Sequence, residues 1–324
     1  MEQENKKELV ALWVDSFGDS KQYTEYYFYE KDTNGIPYLE YEDEKLVSML
    51  FCNPYRLRFC GKTQNAVFIV GVATEPEYRR KGYMRKLLLQ AMKDRREAGE
   101  CFIYLEPAKE EIYLAFGFRG VYYRKSKKTI FPLFLKDRLK RTVKPYVKCS
   151  EEEKEKVVVF ANAWQEKNFD FYVERDRTYY DNLELELNMV HGRIMVGFHK
   201  GEVCYICNYW KSIIQTEIRE YIGDYFLPGL KEQKKRPAIM VRILNLEKVL
   251  NALPKDKRAF IMEEGEELEV QDGLLEENSG IYFVNEKGCI EKKVGDGKEK
   301  KVISIEEITD RIFKVINTYI NDIT

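Results

Sequence analysis

The chain has 324 residues, with 54 Lys or Arg against 55 Asp or Glu and a formal charge of −1. That length exceeds what one small core fills and points to two or three domains. The balanced charge argues against a globally basic nucleic-acid binder, and no apolar run approaches membrane-spanning length.

The opening residues, Met-Glu-Gln-Glu-Asn-Lys-Lys, lack the apolar core of a signal peptide and read as a mature, cytoplasmic start. Residues 8–17 and 22–29 then read as helices. Residues 45–51 and 55–60 read as paired strands turned at Asn53-Pro54. Residues 65–73 form a near-continuous apolar run, which suits a strand buried on both faces. A turn with five basic residues follows (Arg79, Arg80, Lys81, Arg85 and Lys86), broken by Gly82. The next segment places Met84, Leu87, Leu88, Ala91 and Met92 at helical spacing and ends at Gly99. A strand, a glycine-containing basic turn and a helix N-terminus together make an anion site, because unpaired N–H groups and the helix dipole face the ligand. The expected anion is a pyrophosphate.

Residues 101–105 read as the next strand, 109–116 as a short helix and 118–123 as a further strand. Strands alternating with helices imply a mixed α/β sheet. Residues 124–148 hold ten Lys or Arg against one acid, with apolar residues between them, and read as a solvated connector. Ser150 with Glu153 is a capping box before a helix ending near Trp164. Residues 175–184 read as another helix. Residues 193–200 and 202–208 form a hairpin turned at Lys200-Gly201. The order helix, helix, hairpin echoes the start of the chain, without a basic glycine turn after it.

The third segment opens with a strand at 239–243 and a short helix at 246–253. Ser304 with Glu307 caps a last helix, whose apolar residues from Ile308 to Ile320 run almost to Thr324. The seven cysteines show no disulfide-framework spacing. Cys204 and Cys207 fall in a strand, where residues three apart face opposite sides, so reduced thiols are expected and no metal site.

Residues 72–92 and Tyr113-Leu114-Ala115-Phe116-Gly117-Phe118 resemble the GNAT acyltransferases. The phosphate turn of that family reads Arg/Gln-x-x-Gly-x-Gly/Ala, and Arg79-x-x-Gly82-x-Met84 departs from it only at the last place. More narrowly, the chain is similar to the enhanced intracellular survival (Eis-like) group of GNAT proteins. Glu8-Leu9-Val10-Ala11-Leu12-Trp13-x-x-x-Phe17, Pro237-x-x-Met240-Val241-Arg242-Ile243 and the terminal helix carry that likeness.

The resemblance implies two tandem GNAT-like domains, the second degenerate, and a sterol-carrier-protein-like C-terminal domain. The boundaries would be 1–130, 131–234 and 235–324. It implies acetyl-CoA as cofactor. Main-chain groups of Val70, Gly71 and Val72 would meet the pantetheine and the acetyl carbonyl. Arg79, Arg80, Lys81, Gly82 and Met84 would meet the pyrophosphate. It also implies a primary amine as acceptor, on a small molecule or a lysine. Neither nucleic acid nor membrane is implied as a partner, and a homo-oligomer, a hexamer in this group, is.

Tyr113 is the candidate acid, since departure of the thiolate is eased by a nearby phenol. The base is open. The two histidines, His191 and His199, lie in the second segment. The resemblance offers the terminal carboxylate of Thr324; Glu106 and Glu40 are further candidates near the acceptor. The resulting expectation is an N-acetyltransferase working by direct attack in a ternary complex. Its rivals are a non-catalytic CoA-binding scaffold and an apolar-ligand carrier.

Overall fold

A computed structural model describes residues 3–31, 34–129, 142–211, 216–223, 231–232, 237–262, 265–294 and 302–321. The chain folds as two compact units. The first comprises Met1–Tyr122, Asp170–Tyr172 and Ile239–Thr318; the second comprises Tyr123–Phe169, Val173–Ala238 and Tyr319–Thr324.

The first unit opens with α1 (Gln3–Phe17) and α2 (Lys21–Tyr29), followed by β1 (Ile36–Glu42), β2 (Lys45–Phe59) and β3 (Lys62–Thr74). Leu9, Val10, Leu12 and Trp13 form the buried stripe of α1, and the Ser20 hydroxyl caps α2 by accepting from the Tyr23 N–H. The two segments expected to turn at Asn53-Pro54 are one strand instead. β1 stops pairing with β2 at Cys52, so on that side Pro54 removes no ladder bond. The reversal falls at Cys60-Gly61, both left-handed (φ 48° and 78°), and Phe59 pairs with Lys62 across it. Such a two-residue loop has the twist that a hairpin wants.

α3 (Tyr83–Glu97) buries Leu87, Leu88, Ala91 and Met92; β4 (Phe102–Leu105), α4 (Glu110–Leu114) and β5 (Arg119–Tyr122) follow. The sheet runs in the order β2-β3-β4-β13-β5, and on the side of β2 away from β3 both β1 and the short strand Phe171–Val173 pair with it. β13 (Ile239–Ile243) enters from more than 100 residues downstream. It runs antiparallel to β4 (Val241 opposite Tyr104) and to β5 (Val241 opposite Arg119). All four residues of β4 are buried, as its apolar sequence requires of an inner strand.

The second unit contains β6 (Lys125–Thr129), β7 (Thr142–Pro145), α5 (Glu151–Asn168), α6 (Arg177–Met189), β9 (Arg193–His199), β10 (Glu202–Lys211), β11 (Thr216–Gly223) and β12 (Lys231–Glu232). The strand β8 (Phe171–Val173) lies between α5 and α6 in sequence. Here the sheet order is β12-β6-β11-β10-β9-β7. The basic segment 124–148 is therefore not a plain connector: β6 and β7 occupy its two ends, and residues 130–141 lie outside the described residues. The Ser150–Glu153 capping box forms in both directions. A register shift between Val203 and Tyr205 brings Cys204 and Cys207, expected on opposite faces, to the same apolar cluster.

After β13 the first unit continues with α7 (Leu246–Ala252), α8 (Lys255–Arg258), β14 (Leu268–Gln271), β15 (Gly280–Val284), β16 (Ile290–Lys293), β17 (Val302–Ser304) and α9 (Ile305–Val315). The strand order is β16-β15-β14-β17, with β14 and β17 parallel. The last helix is shorter than its apolar pattern suggests. It stops at Val315, because Asn317 leaves the helical path: its carbonyl accepts from the Asp170 and Phe171 N–H groups and its own N–H donates to the Asp170 carboxylate. Among the described residues no helix is long and apolar enough to cross a membrane.

Candidate active site

β3 and β4 lie parallel only from Ala66 opposite Phe102 to Ile69 opposite Leu105. There β4 ends and β3 runs on to Thr74. On that edge no described strand pairs with the last five residues of β3, so backbone groups there are available to a ligand. The same stretch is irregular. Met49 pairs with Ala73 and Phe51 with Val70, so Leu50 alone opposes Gly71 and Val72. This is a β-bulge, with Gly71 at φ 65°.

A turn at Pro76–Tyr78 leads to the basic segment, and the Arg79 Nε donates back to the Thr74 carbonyl at 2.9 Å. Arg80 sits at φ 63° and Gly82, the N-cap of α3, at φ 94°. Gly82 offers no side-chain cap, and the first turn of α3 carries no acid. Its first intrahelical bond runs from Lys86 N to Gly82 O. The N–H groups of Tyr83, Met84 and Arg85 are thus left without an intrahelical acceptor. Arg79, Arg80, Lys81 and Gly82 are exposed around them, and the Lys81 Nζ lies 4.6 Å from the Tyr78 ring centroid. An exposed helix start with positive charge and no resident carboxylate is suited to an anion such as a pyrophosphate. Met84, which replaces the small residue of the family turn, is partly buried and packs on the core beneath α3.

Tyr113 lies at the end of α4, 6 % exposed, in the core cluster that includes Ile69, Leu105 and Leu87 and on which Val72 and Met84 pack. Its carbonyl accepts from Phe116 N (3.0 Å) and Phe118 N (3.2 Å), which closes the chain tightly behind it. The Arg85 guanidinium stands 5.7 Å from the Phe116 ring centroid, so the first turn of α3 and this motif are neighbours. Burial pushes the Tyr113 phenol up to about 12, and no charged group or side-chain hydrogen bond contributes. The phenol therefore stays protonated throughout the physiological range, as an acid must.

Of the residues expected around an acceptor, Glu40 projects from β1 and its carboxylate receives the Lys86 ammonium at 2.9 Å. Two residues on, Glu42 accepts the Tyr83 hydroxyl at 2.5 Å, which pushes that phenol up to about 12. β1 and the first turn of α3 are thus laced together. Glu106 is exposed immediately after β4. Thr324 lies outside the described residues. Val72, Met84 and Tyr113 share one core cluster beside the parting of β3 and β4, Val70 packs on the opposite face, Gly82 caps α3, and Glu40 is held by Lys86 in the first turn of α3.

One residue of this neighbourhood escaped the sequence reading. Arg242 of β13, fully buried, donates from Nε to the Phe116 carbonyl (3.0 Å) and from Nη2 to both Asp272 oxygens (2.7 and 2.6 Å). Burial alone would raise the Asp272 carboxyl, but Arg242 and the Asn278 amide hold it below the usual range. The signal was an arginine inside an apolar strand, a placement that requires a buried partner.

Residues 1–121 match the family model of the acetyltransferase (GNAT) domain. No curated protein matches the sequence. Among solved structures, a GCN5-related N-acetyltransferase from Kribbella flavida shares 14% identity, covers 100% of this chain and 98% of its own, and has a TM-score of 0.71. A probable N-acyltransferase from Enterococcus faecalis shares 17% identity over 95% of this chain and 87% of its own, with a TM-score of 0.68. Eis1 from Mycobacterium abscessus shares 13% identity over 95% and 86%, with a TM-score of 0.67. At these identities the likeness is one of fold. The parted strands and the glycine-led basic turn both lie within the matched stretch, so residues 1–121 are a GNAT acetyltransferase domain, a kind that draws on acyl-CoA donors.

Proposed function

We propose that this GNAT protein takes acetyl-CoA as donor and transfers the acetyl group to a primary amine by direct attack in a ternary complex. The observation that carries the reading is the open edge of β3 beyond Ile69, continuous through the Arg79–Thr74 bond with the uncapped start of α3. A pantetheine thioester laid along that edge would find backbone N–H groups for its carbonyl, and its diphosphate would reach the α3 N-terminus. The amine lone pair attacks the thioester carbon and the C–S bond breaks. The departing sulfur takes the Tyr113 proton, and a carboxylate or water takes the proton that the amine loses. That carboxylate is Thr324, as the resemblance implies, or Glu106, and deleting the terminal residue separates the two. Glu40 is less suited, since Lys86 already occupies it.

The second unit reads as a degenerate copy of the first. Its helices and three-stranded meander repeat the opening order, without a glycine-led basic turn after the third strand. The sheet of β14 to β17 with α9 is the part that the resemblance assigns to a sterol-carrier-like domain.

Calorimetric titration with acetyl-CoA, followed by a mass-spectrometric screen of amines, tests the proposal. Saturable binding and a 42-Da gain (one acetyl for one hydrogen) on at least one amine are expected. Absence of binding at millimolar donor ends the reading. Binding without transfer to any amine in a broad panel turns it into that of a CoA-binding scaffold.

A further inference from the structure

We infer that Trp13 is a positioning residue for acyl transfer: its ring occupies the space of the side chain that Gly71 lacks and so holds the β3 bulge in register. The inference rests on the reading of β3 as the donor strand and adds a residue to which that reading gives no task.

The phase of β3 changes at Gly71. Val67 and Ile69 belong to the cluster under α3, as alternation along a strand requires. Val70 belongs to the opposite cluster, with Trp13 and Phe51. Alternation would return residue 71 to the α3 side. Instead, a Cβ on Gly71 would point at Trp13, 2.6 Å from its Cζ3 and 3.1 Å from its Cε3, with Phe51 Cδ2 at 3.5 Å. Val72 then packs under α3 and Ala73 returns to the Trp13 side. Two successive residues, Val70 and Gly71, thus face the same way, and this doubling is the extra residue of the bulge. The ring fills the gap that the doubling leaves.

The ring is itself held from several directions. Trp13 is 4 % exposed. Its Nε1 donates to Asp19 Oδ2 at 2.8 Å, across the turn that joins α1 to α2. Tyr27 lies 4.8 Å away, centroid to centroid, and Phe28 5.5 Å away, edge-on. A ring fixed on three sides is a template rather than a filler. What it templates is the direction of the backbone groups at Gly71 and Val72, on the edge where β3 has left β4. Small misdirection of donors toward a developing oxyanion is costly, since their worth depends on being set in advance.

A double-mutant cycle on activity and donor binding is the test. Trp13→Phe is expected to lower kcat about tenfold, leave the KM for acetyl-CoA within about threefold and shift the melting temperature by only a few degrees. Gly71→Ala in the parent background is expected to lose more activity than in a Trp13→Ala background, because the new methyl group then meets no ring. Equal losses in both backgrounds, or a Trp13→Phe variant with parental kcat, overturn the inference. An inactive parent protein overturns the functional reading and this role together. An active parent with an uncoupled cycle overturns this role alone.

Discussion

The order helix, helix, three-stranded meander occurs twice in the chain, and both third strands carry an extra residue. In the first unit it falls at Gly71-Val72 of β3, opposite Leu50. In the second it is Arg219 of β11, because Asn208 pairs with Glu220 while Tyr209 pairs with Ile218. The surroundings differ. Gly71 lies on a strand whose next neighbour stops at Leu105, leaving an edge free. β6 likewise pairs with β11 only along Thr216–Ile218, but just beyond it the Arg219 carbonyl accepts from Asn321 at 2.9 Å. The Arg219 guanidinium stacks on Trp210 at 3.8 Å. A bulge is therefore not a site in itself. What distinguishes the two is the bulged residue: a glycine in β3, and in β11 an arginine stacked on Trp210.

The interiors differ in the same sense. The core beneath α3 is apolar apart from the Tyr38 and Tyr113 phenols and the Cys52 thiol. The second unit buries a bidentate Arg175–Glu220 pair (3.1 and 2.6 Å), joined by Asn208 (2.7 Å) and the Tyr319 hydroxyl (2.7 Å).

The sharpest way to break the contrast is Tyr113→Phe. It is expected to lower kcat by about 100-fold or more while acetyl-CoA affinity measured by calorimetry stays near parental. A parental kcat would remove Tyr113 from the chemistry. The converse substitution, Glu220→Gln, leaves Arg175 buried without its counter-ion. It should cost about 3–5 kcal/mol in urea unfolding and leave the donor Kd of the folded protein unchanged. A weakened donor Kd would tie the second unit to the donor site. Gly82→Ala probes the α3 start. A Cβ there meets nothing within 4 Å, so the free protein should lose only the roughly 1–2 kcal/mol of a left-handed alanine. Donor binding should nevertheless fall about tenfold, because the methyl group stands where a phosphate approaches. Equal donor affinity would place the phosphates elsewhere.

A smaller effect contrasts two buried carboxyls. Glu220 is fully partnered, whereas Glu100 has Arg95 at 3.7 Å and no hydrogen bond to its Oε2. Burial, opposed by Arg95, pushes the Glu100 carboxyl up to about 7 from 4.5. The folded state thus prefers the protonated form. What Glu100 contributes to stability is full below pH 4.5 and is lost as pH rises through 7. Glu100→Gln should then stabilise the protein by about 1–3 kcal/mol at pH 8 and by almost nothing at pH 4, in melting curves run at both. An advantage that does not depend on pH would contradict the assignment.

Local signals in the sequence translated well. The Ser150–Glu153 box, the apolar stripe of α3, the Lys200-Gly201 hairpin and the basic turn about Gly82 all depend on residues within a few positions of one another. The failures have a common cause. Asn53-Pro54 carries a strong turn signal, yet whether proline breaks a strand depends on which neighbour it would have bonded, and β1 ends first. The doubling at Val70-Gly71 and the place of Arg242 beside Phe116 are set by distant partners, which periodicity does not register. The candidate cofactor turn was legible because it is local. The geometry behind Tyr113 was not, because Phe116, Arg242 and Asp272 meet only in three dimensions.

The insertion of β13 between β4 and β5 has a consequence during synthesis. The edges of β4 and β5 that face each other across the β13 position cannot be satisfied until Ile243 has left the ribosome, 121 residues after Tyr122. At about 5–20 residues per second that wait is on the order of ten seconds. For that interval the nascent chain presents unpaired apolar strand edges, and a fragment cut after Tyr122 would present them permanently. Such a fragment is expected to aggregate or to recruit chaperones, even though it contains every residue of the family match.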